Sequence, residues 1–344
     1  MPERVRDISE FDLIDRLRDA LPAAARADAR IAEGIGDDAA VWRPDIGEAI
    51  LITTDSLIDT IHFRTDWTTW DDLGWKSLAV NISDIAAMGG QPGLATVSLV
   101  LTGDELVADL EELYRGMGRI AQRERVVVAG GDIVRAPRDF GIHVTVLGES
   151  RRGRYLTRSG AQPGDVICVT GTLGAAAAGL ALLQLESDDP RRTATTAPLL
   201  VAAHTRPEPR VRAGRHALEH HASAAMDLSD GLFGDLPKIL TASGVDATIH
   251  LAQLPVAASV RALFPDRWLD FATRGGEDYE LLLTVPPDRI DDLRQALSDF
   301  ESTLTVIGQI DDVSASPRLH ARTLDGRLEP VRRGAFDHFR NDPS

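Results

Sequence analysis

NISDIAAMGGQPGLATVSLVL, residues 81–101, contains the change of rhythm on which the fold class turns. Upstream of its paired glycines, Leu78, Ile82 and Ile85 recur at helical spacing, and residues 71–88 are predicted as one helix. Downstream, LATVSLVL (94–101) is β-rich and apolar on both of its faces, as expected of a strand covered on both sides. Inside the helix Asp84 lies among small and apolar residues, where a carboxylate is costly to bury without a partner.

Working outward, β-rich runs at 49–54, 126–129, 142–148, 166–171, 281–285 and 304–310 read as further strands. Helical patterns occupy 10–21, 104–122, 172–184, 209–221, 230–242 and 287–297. The class is therefore mixed α/β (α+β). A break rich in Arg, Gly and Pro, SRRGRYLTRSGAQPG (150–164), predicts a boundary between an N-terminal domain, 1–150, and a C-terminal α/β domain, 151–344. The polar stretch 186–198 reads as a surface loop.

A chain of 344 residues with 43% hydrophobic and 26% charged residues has the composition of a soluble globular protein of two ordinary domains. No apolar run is long enough to span a membrane, and the charged N-terminus lacks a secretory h-region, so a cytoplasmic protein is expected. The net charge of −16 argues against nucleic acid as partner. The one cysteine, Cys168, excludes an internal disulfide framework. Lys76 and Lys238 are the only lysines, and neither stands in a Walker-type phosphate loop.

The acidic residues fall in a pattern. Asp37 and Asp38 occupy GIGDDAAV, Asp55 ends a strand in LITTDS, and Asp132 directly follows one in VVVAGGD. Asp227 and Asp230 stand in MDLSDGL, at a strand end and the mouth of a helix. Singly, each can be a helix cap or a turn residue. Together, strand-end carboxylates and the helix-borne Asp84 make a plausible cage for hard cations such as magnesium, which takes oxygen ligands shared with substrate phosphates. The glycines beside Asp38 and Asp132 let backbone come close to such phosphates.

GIGDDAAV, LITTDSLIDTIHF, NISDIAAMGG, VVVAGGD, TRSGAQPGD, MDLSDGL, GGEDYEL (275–281) and the terminal FDHF occur in the order seen in the thiamine-monophosphate kinase family, which the chain resembles from about residue 10 to its end. That family belongs to the superfamily of aminoimidazole ribonucleotide synthetase. The resemblance implies a two-domain aminoimidazole ribonucleotide synthetase-like fold, a homodimer sharing a β-barrel built from N-terminal strands, and ATP as co-substrate. It makes Asp38, Thr53, Thr54, Asp55, Asp84, Asp132, Asp227 and Asp230 ligands of several Mg2+ ions. Tyr114, Gly131, Asp132, Arg158 and Ser229 would meet ATP, and His62, Glu277 and Phe336 would meet thiamine monophosphate. Ser77, Asn81 and Met88 would support the metal cluster. Phe336 stands where the family commonly has tyrosine, which removes a hydroxyl and keeps an aromatic face.

The implied reaction is direct in-line transfer from ATP to thiamine monophosphate, giving thiamine diphosphate. Its acceptor is an already ionised phosphate oxygen, so no general base and no catalytic side chain are required. His62 as a phosphorylated intermediate, or as a strand-end histidine satisfied by backbone, stays open beside its substrate role. Cys168 reads as core, and Trp67, Trp70 and Trp75 as packing near the first helix.

Overall fold

A helix that is apolar around most of its circumference has to be surrounded by protein. The computed structural model describes residues 3–7, 10–26, 31–33, 41–42, 49–298 and 303–331, and in it the helix predicted over 71–88 runs from Trp70 to Ala87. Between positions 73 and 90 every residue is buried except Asp84 and Met88, one helical turn apart. Within the helix, Asp84 is the one residue after the first turn that is not buried.

The chain divides into two units, Met1–Ile85 with Gly90–Arg154, and Ala86–Gly89 with Tyr155–Ser344. The first is built from α1 (Glu10–Ala20), β1 (Ile31–Glu33), β2 (Val41–Trp42), β3 (Ile50–Ile58), α2 (Trp70–Ala87), β4 (Gln91–Leu101), α3 (Val107–Glu124), β5 (Val127–Arg135) and β6 (Gly141–Glu149). Helices α2 and α3 touch backbone to backbone: a Cβ on Gly74 would lie 1.8 Å from Leu113 O, and one on Gly116 would lie 1.9 Å from Asp71 O. Leu13 and Leu17 of α1 are buried, as are Leu110, Leu113 and Met117 of α3. Arg123 lies over the ring of the buried Trp75, and Trp70 packs against Phe140.

The main sheet of this unit has the order β3-β6-β4-β5, with β4 and β5 parallel and the other pairs antiparallel. Two expectations are corrected here. Asp55 and Asp132 lie inside strands, since β3 continues to Ile58 and β5 to Arg135. Their polar neighbours lower β propensity locally, but the ladder partners β6 and β4 carry the backbone bonds through them.

The second unit contains β7 (Val166–Thr170), α4 (Ala175–Gln184), α5 (Ala197–Thr205), α6 (Val211–Glu219), β8 (Ala224–Asp227), α7 (Leu232–Ser243), β9 (Val245–His250), α8 (Ala258–Leu263), α9 (Trp268–Arg274), β10 (Leu281–Val285), α10 (Ile290–Ser298), β11 (Leu304–Val313), β12 (Leu319–Arg322) and β13 (Leu328–Pro330). Its seven-stranded sheet has the order β13-β12-β9-β11-β7-β10-β8. Strands buried on both faces send alternate side chains to opposite cores. Ile167, Val169 and Leu282 thus join Leu236 and Ile239 of α7, whereas Cys168, Leu281 and Leu283 join Ala217 of α6 and Leu293 of α10. Cys168 is core, as expected, and burial pushes its thiol up to about 12. The expected loop 186–198 holds a short turn, Pro190–Thr193, begun by Asp189 accepting from Arg191 N–H, and runs into α5. Among the described residues no helix is long and apolar enough to cross a membrane.

Candidate active site

In β3, alternation sets Leu51, Thr53, Asp55 and Leu57 on the inner face and Ile50, Ile52, Thr54 and Ser56 on the outer one. Thr53 Oγ1 donates to Asp84 Oδ2 at 2.5 Å, so the inner face meets α2 at its one incompletely buried position after the first turn. Burial pushes the Asp55 carboxyl up to about 6, and the nearby charge of Asp84 adds to the shift. Two half-buried carboxylates that oppose each other's ionisation form a site suited to a cation. Ser77 and Asn81, two turns and one turn before Asp84, instead bond their own helix: Ser77 Oγ donates to Gly74 O at 2.9 Å and Asn81 Nδ2 to Ser77 O at 3.1 Å.

Register separates other members of the expected metal set. Thr54 Oγ1 points to the outer face and donates to Val144 O at 3.1 Å. Asp132 is aligned with Ser98, Ser98 with His143, and His143 with Ser56, which places Asp132 on that outer face too, opposite Asp55. Its Oδ1 accepts from Ile133 N–H at 2.9 Å. Gly131, beside it, would set a Cβ 1.8 Å from Val97 O, so only glycine fits the bend of β5 there. Among the described residues no three His, Cys, Asp or Glu side chains are gathered as a ready metal cage. Tyr114 is buried on α3, which drives its phenol pKa well above the usual range. His62 Nδ1 accepts from Ile58 N–H at 3.1 Å, so its neutral ring carries the proton on Nε2. Asp38 lies outside the described residues, as does Phe336.

The second unit brings two motifs together that stand about fifty positions apart in the chain. Asp227 is registered with Leu281 where β8 and β10 pair, and the pairing continues past both strands. Leu228 N–H donates to Glu280 O at 2.8 Å, Tyr279 N–H to Leu228 O at 2.9 Å, and Glu277 N–H to Ser229 O at 2.8 Å. MDLSDGL and GGEDYEL are thereby one structure. Its closeness requires glycine: a Cβ on Gly276 would come within 2.4 Å of Ser229 O. The exposed Arg158 belongs to a loop tied down by Ser243, whose Oγ donates to Arg158 O at 3.2 Å.

Several residues of this unit escaped the sequence reading. The Nζ of Lys238 donates to Asp230 Oδ2 at 2.6 Å and to Asp235 Oδ1 at 2.7 Å, while Asp235 Oδ2 accepts from Asp230 N–H at 2.9 Å. Asp230 is thus held by side chain and backbone alike; the signal was an Asp/Lys pair at i, i+3 in a predicted helix, using one of only two lysines. Asp278 accepts from Gly174 N–H at 2.6 Å and Ala176 N–H at 3.1 Å, capping α4 from a distant segment. Glu280 receives both arms of Arg210, at 2.5 and 2.7 Å, together with Thr170 Oγ1 at 2.6 Å. No local signal announces those two roles. Asp278 and Glu280 of GGEDYEL are therefore architectural.

The AIR synthase related protein N-terminal domain matches residues 36–150 and the corresponding C-terminal domain matches 162–317. The thiamine-monophosphate kinase of Escherichia coli (strain K12) is 42% identical over 335 residues, covering 96% of this chain and 98% of its own. The crystal structure of thiamine-monophosphate kinase from Stenotrophomonas maltophilia K279a superposes with a TM-score of 0.81 at 38% identity, covering 93% of this chain and 97% of its own. A structure of AaThiL complexed with AMPPCP and TMP gives a TM-score of 0.75 at 30% identity, with 98% of this chain and 99% of that one covered.

Proposed function

The chain belongs to the thiamine-monophosphate kinase family, and from that membership we propose that it transfers the γ-phosphoryl group of ATP to thiamine monophosphate, yielding thiamine diphosphate and ADP. One observation carries the reading: likeness to that kinase extends through both units at 42% identity, rather than through a nucleotide-binding part alone. The relative in complex with AMPPCP and TMP supports the same pair of substrates.

The first unit supplies oxygen. Asp55 and Asp84, with the Thr53 hydroxyl beside them, suit magnesium, which needs one or two carboxylates when substrate phosphates complete its shell. Asp38, Asp227 and Asp230 keep the metal-ligand roles that the resemblance gives them. Bound there, magnesium supplies charge neutralisation on the transferred group. The remaining work belongs to the chain: Gly131, Asp132 on the outer face, Arg158 and Ser229 bind nucleotide, and the buried Tyr114 contributes packing. Thr54, on that outer face, is assigned to the nucleotide side. Glu277, His62 and Phe336 bind the acceptor, whose cationic and aminopyrimidine rings suit a carboxylate and an aromatic face. Because His62 carries its proton on Nε2, it can donate to the acceptor phosphate.

The enzyme works as a homodimer in the cytoplasm. Among the described residues β3 and β5 are sheet edges, and Ile52 on β3 is 69% exposed, with Val134 on β5 at 43%. An edge strand's unpaired backbone groups offer pairing to another chain, and a second copy closing a shared barrel would take up that offer. The reaction is tested by ADP release with thiamine monophosphate, thiamine or no acceptor. Release only with thiamine monophosphate is expected; equal release without an acceptor would overturn the assignment.

A further inference from the structure

We propose that His204 is a positioning residue for the acceptor, holding the Glu277 carboxylate in place before thiamine monophosphate arrives; this rests on the reading of Glu277 given above. His204 Nδ1 lies 3.0 Å from Glu277 Oε2, with the histidine side chain 9% exposed and the glutamate 28%. The imidazole is itself fixed. It occupies the last turn of α5, which approaches α4 so closely that a Cβ on Gly179 would lie 2.0 Å from Leu200 O and 3.2 Å from His204 Cβ.

The other end of Glu277 is equally constrained. Its φ of 67° is in the left-handed region, and Tyr279 follows with 50°. A side-chain-bearing residue stays there only when its surroundings impose the conformation. Here the surroundings are visible: Glu277 N–H and Tyr279 N–H donate to Ser229 O and Leu228 O, and between them Asp278 is tied to the start of α4. A glutamate has three side-chain torsions to immobilise on binding, and the cost is avoided if the carboxylate is already fixed at backbone and tip. His204, in ion-pair contact with Oε2 rather than in an aligned hydrogen bond, supplies the tip. It touches no substrate in this scheme and acts only through Glu277.

The test compares His204→Phe, which keeps a ring and loses the nitrogens, with His204→Asn, Glu277→Gln and the His204→Phe/Glu277→Gln double variant. Steady-state kinetics are measured for both substrates. H204F is expected to raise the KM for thiamine monophosphate ~3–10-fold, the worth of ordering one such side chain, with the KM for ATP within ~2-fold of wild type. H204N should recover part of the loss. In the E277Q background, H204F should add nothing, since residues acting through one contact are not additive. If E277Q raises the acceptor KM and both His204 variants, folded, leave it unchanged, positioning by His204 is wrong. Equal weakening for both substrates, or full additivity in the double variant, overturns it as well and makes His204 a packing residue. An unchanged acceptor KM in E277Q removes the reading of Glu277 itself, and the role of His204 falls with it. Should H204F not fold, H204N and E277Q with their double variant give the same comparison.

Discussion

Thr53 Oγ1 donates a 2.5 Å hydrogen bond to Asp84 Oδ2, joining the inner face of β3 to the one residue of α2 after its first turn that is not buried. The carboxylate that seemed out of place in an apolar helix therefore faces a threonine and a second carboxylate, Asp55, whose ionisation it opposes.

Asp84→Asn keeps the size of the side chain and an oxygen able to accept from Thr53. The fold should survive, since removing one of two opposed charges relieves repulsion. Turnover should fall ~100-fold or more, the scale of losing one electrostatic stabiliser. Circular dichroism with single-turnover kinetics checks this; a folded D84N variant with near-normal turnover would falsify the assignment of Asp84 to the metal.

Gly276→Ala forces a Cβ to within 2.4 Å of Ser229 O, where backbone meets backbone and cannot give way cheaply. A destabilisation of ~1–3 kcal/mol is expected from overpacking. Because MDLSDGL and GGEDYEL move apart together, kcat/KM should drop ~10–100-fold, as small misplacements of a site do. Urea denaturation and kinetics on the same preparation separate the two effects.

Asp278 gives a pH signature. Desolvation pushes its carboxyl from the ordinary 3.8 up to about 7, outweighing the Gly174 and Ala176 amides that favour the charged form. Between those values the folded chain binds more protons here than the unfolded chain. Its contribution to stability is thus fully present below about 4 and lost as pH rises through about 7. Asp278→Asn removes that dependence. Urea midpoints at several pH values should show wild type losing ground to D278N from about pH 4 to about 7, with a constant difference above. A constant difference across the whole range would show that Asp278 does not titrate there.

Ile52→Lys tests the assembly. Light scattering of the wild-type chain should give ~74 kDa, twice the 37.2 kDa of one chain. Placing a lysine on the outer face of an edge strand should shift the mass toward a single chain, because edge charges block strand-to-strand association. A wild-type mass of 37.2 kDa at micromolar concentration would exclude the dimer.

The sequence by itself determined the elements that bury their own repeat. The helical stripe of Leu78, Ile82 and Ile85, the apolar strand at 94–101 and the glycine at 131 announce themselves locally, since periodicity and a glycine beside a strand-end carboxylate are visible among neighbouring residues. Short elements such as β9, β12, α8 and α9 did not, being too brief for a period to emerge. Only the tertiary structure decided the partners. It set Asp55 and Asp132 on opposite faces of one sheet, through a register that runs across four strands. It gave Asp230 to Lys238, Glu280 to Arg210 and Glu277 to His204. Such pairings depend on which segments the topology lays side by side, and a charge in a linear sequence carries no record of the opposite charge that long-range folding brings to meet it.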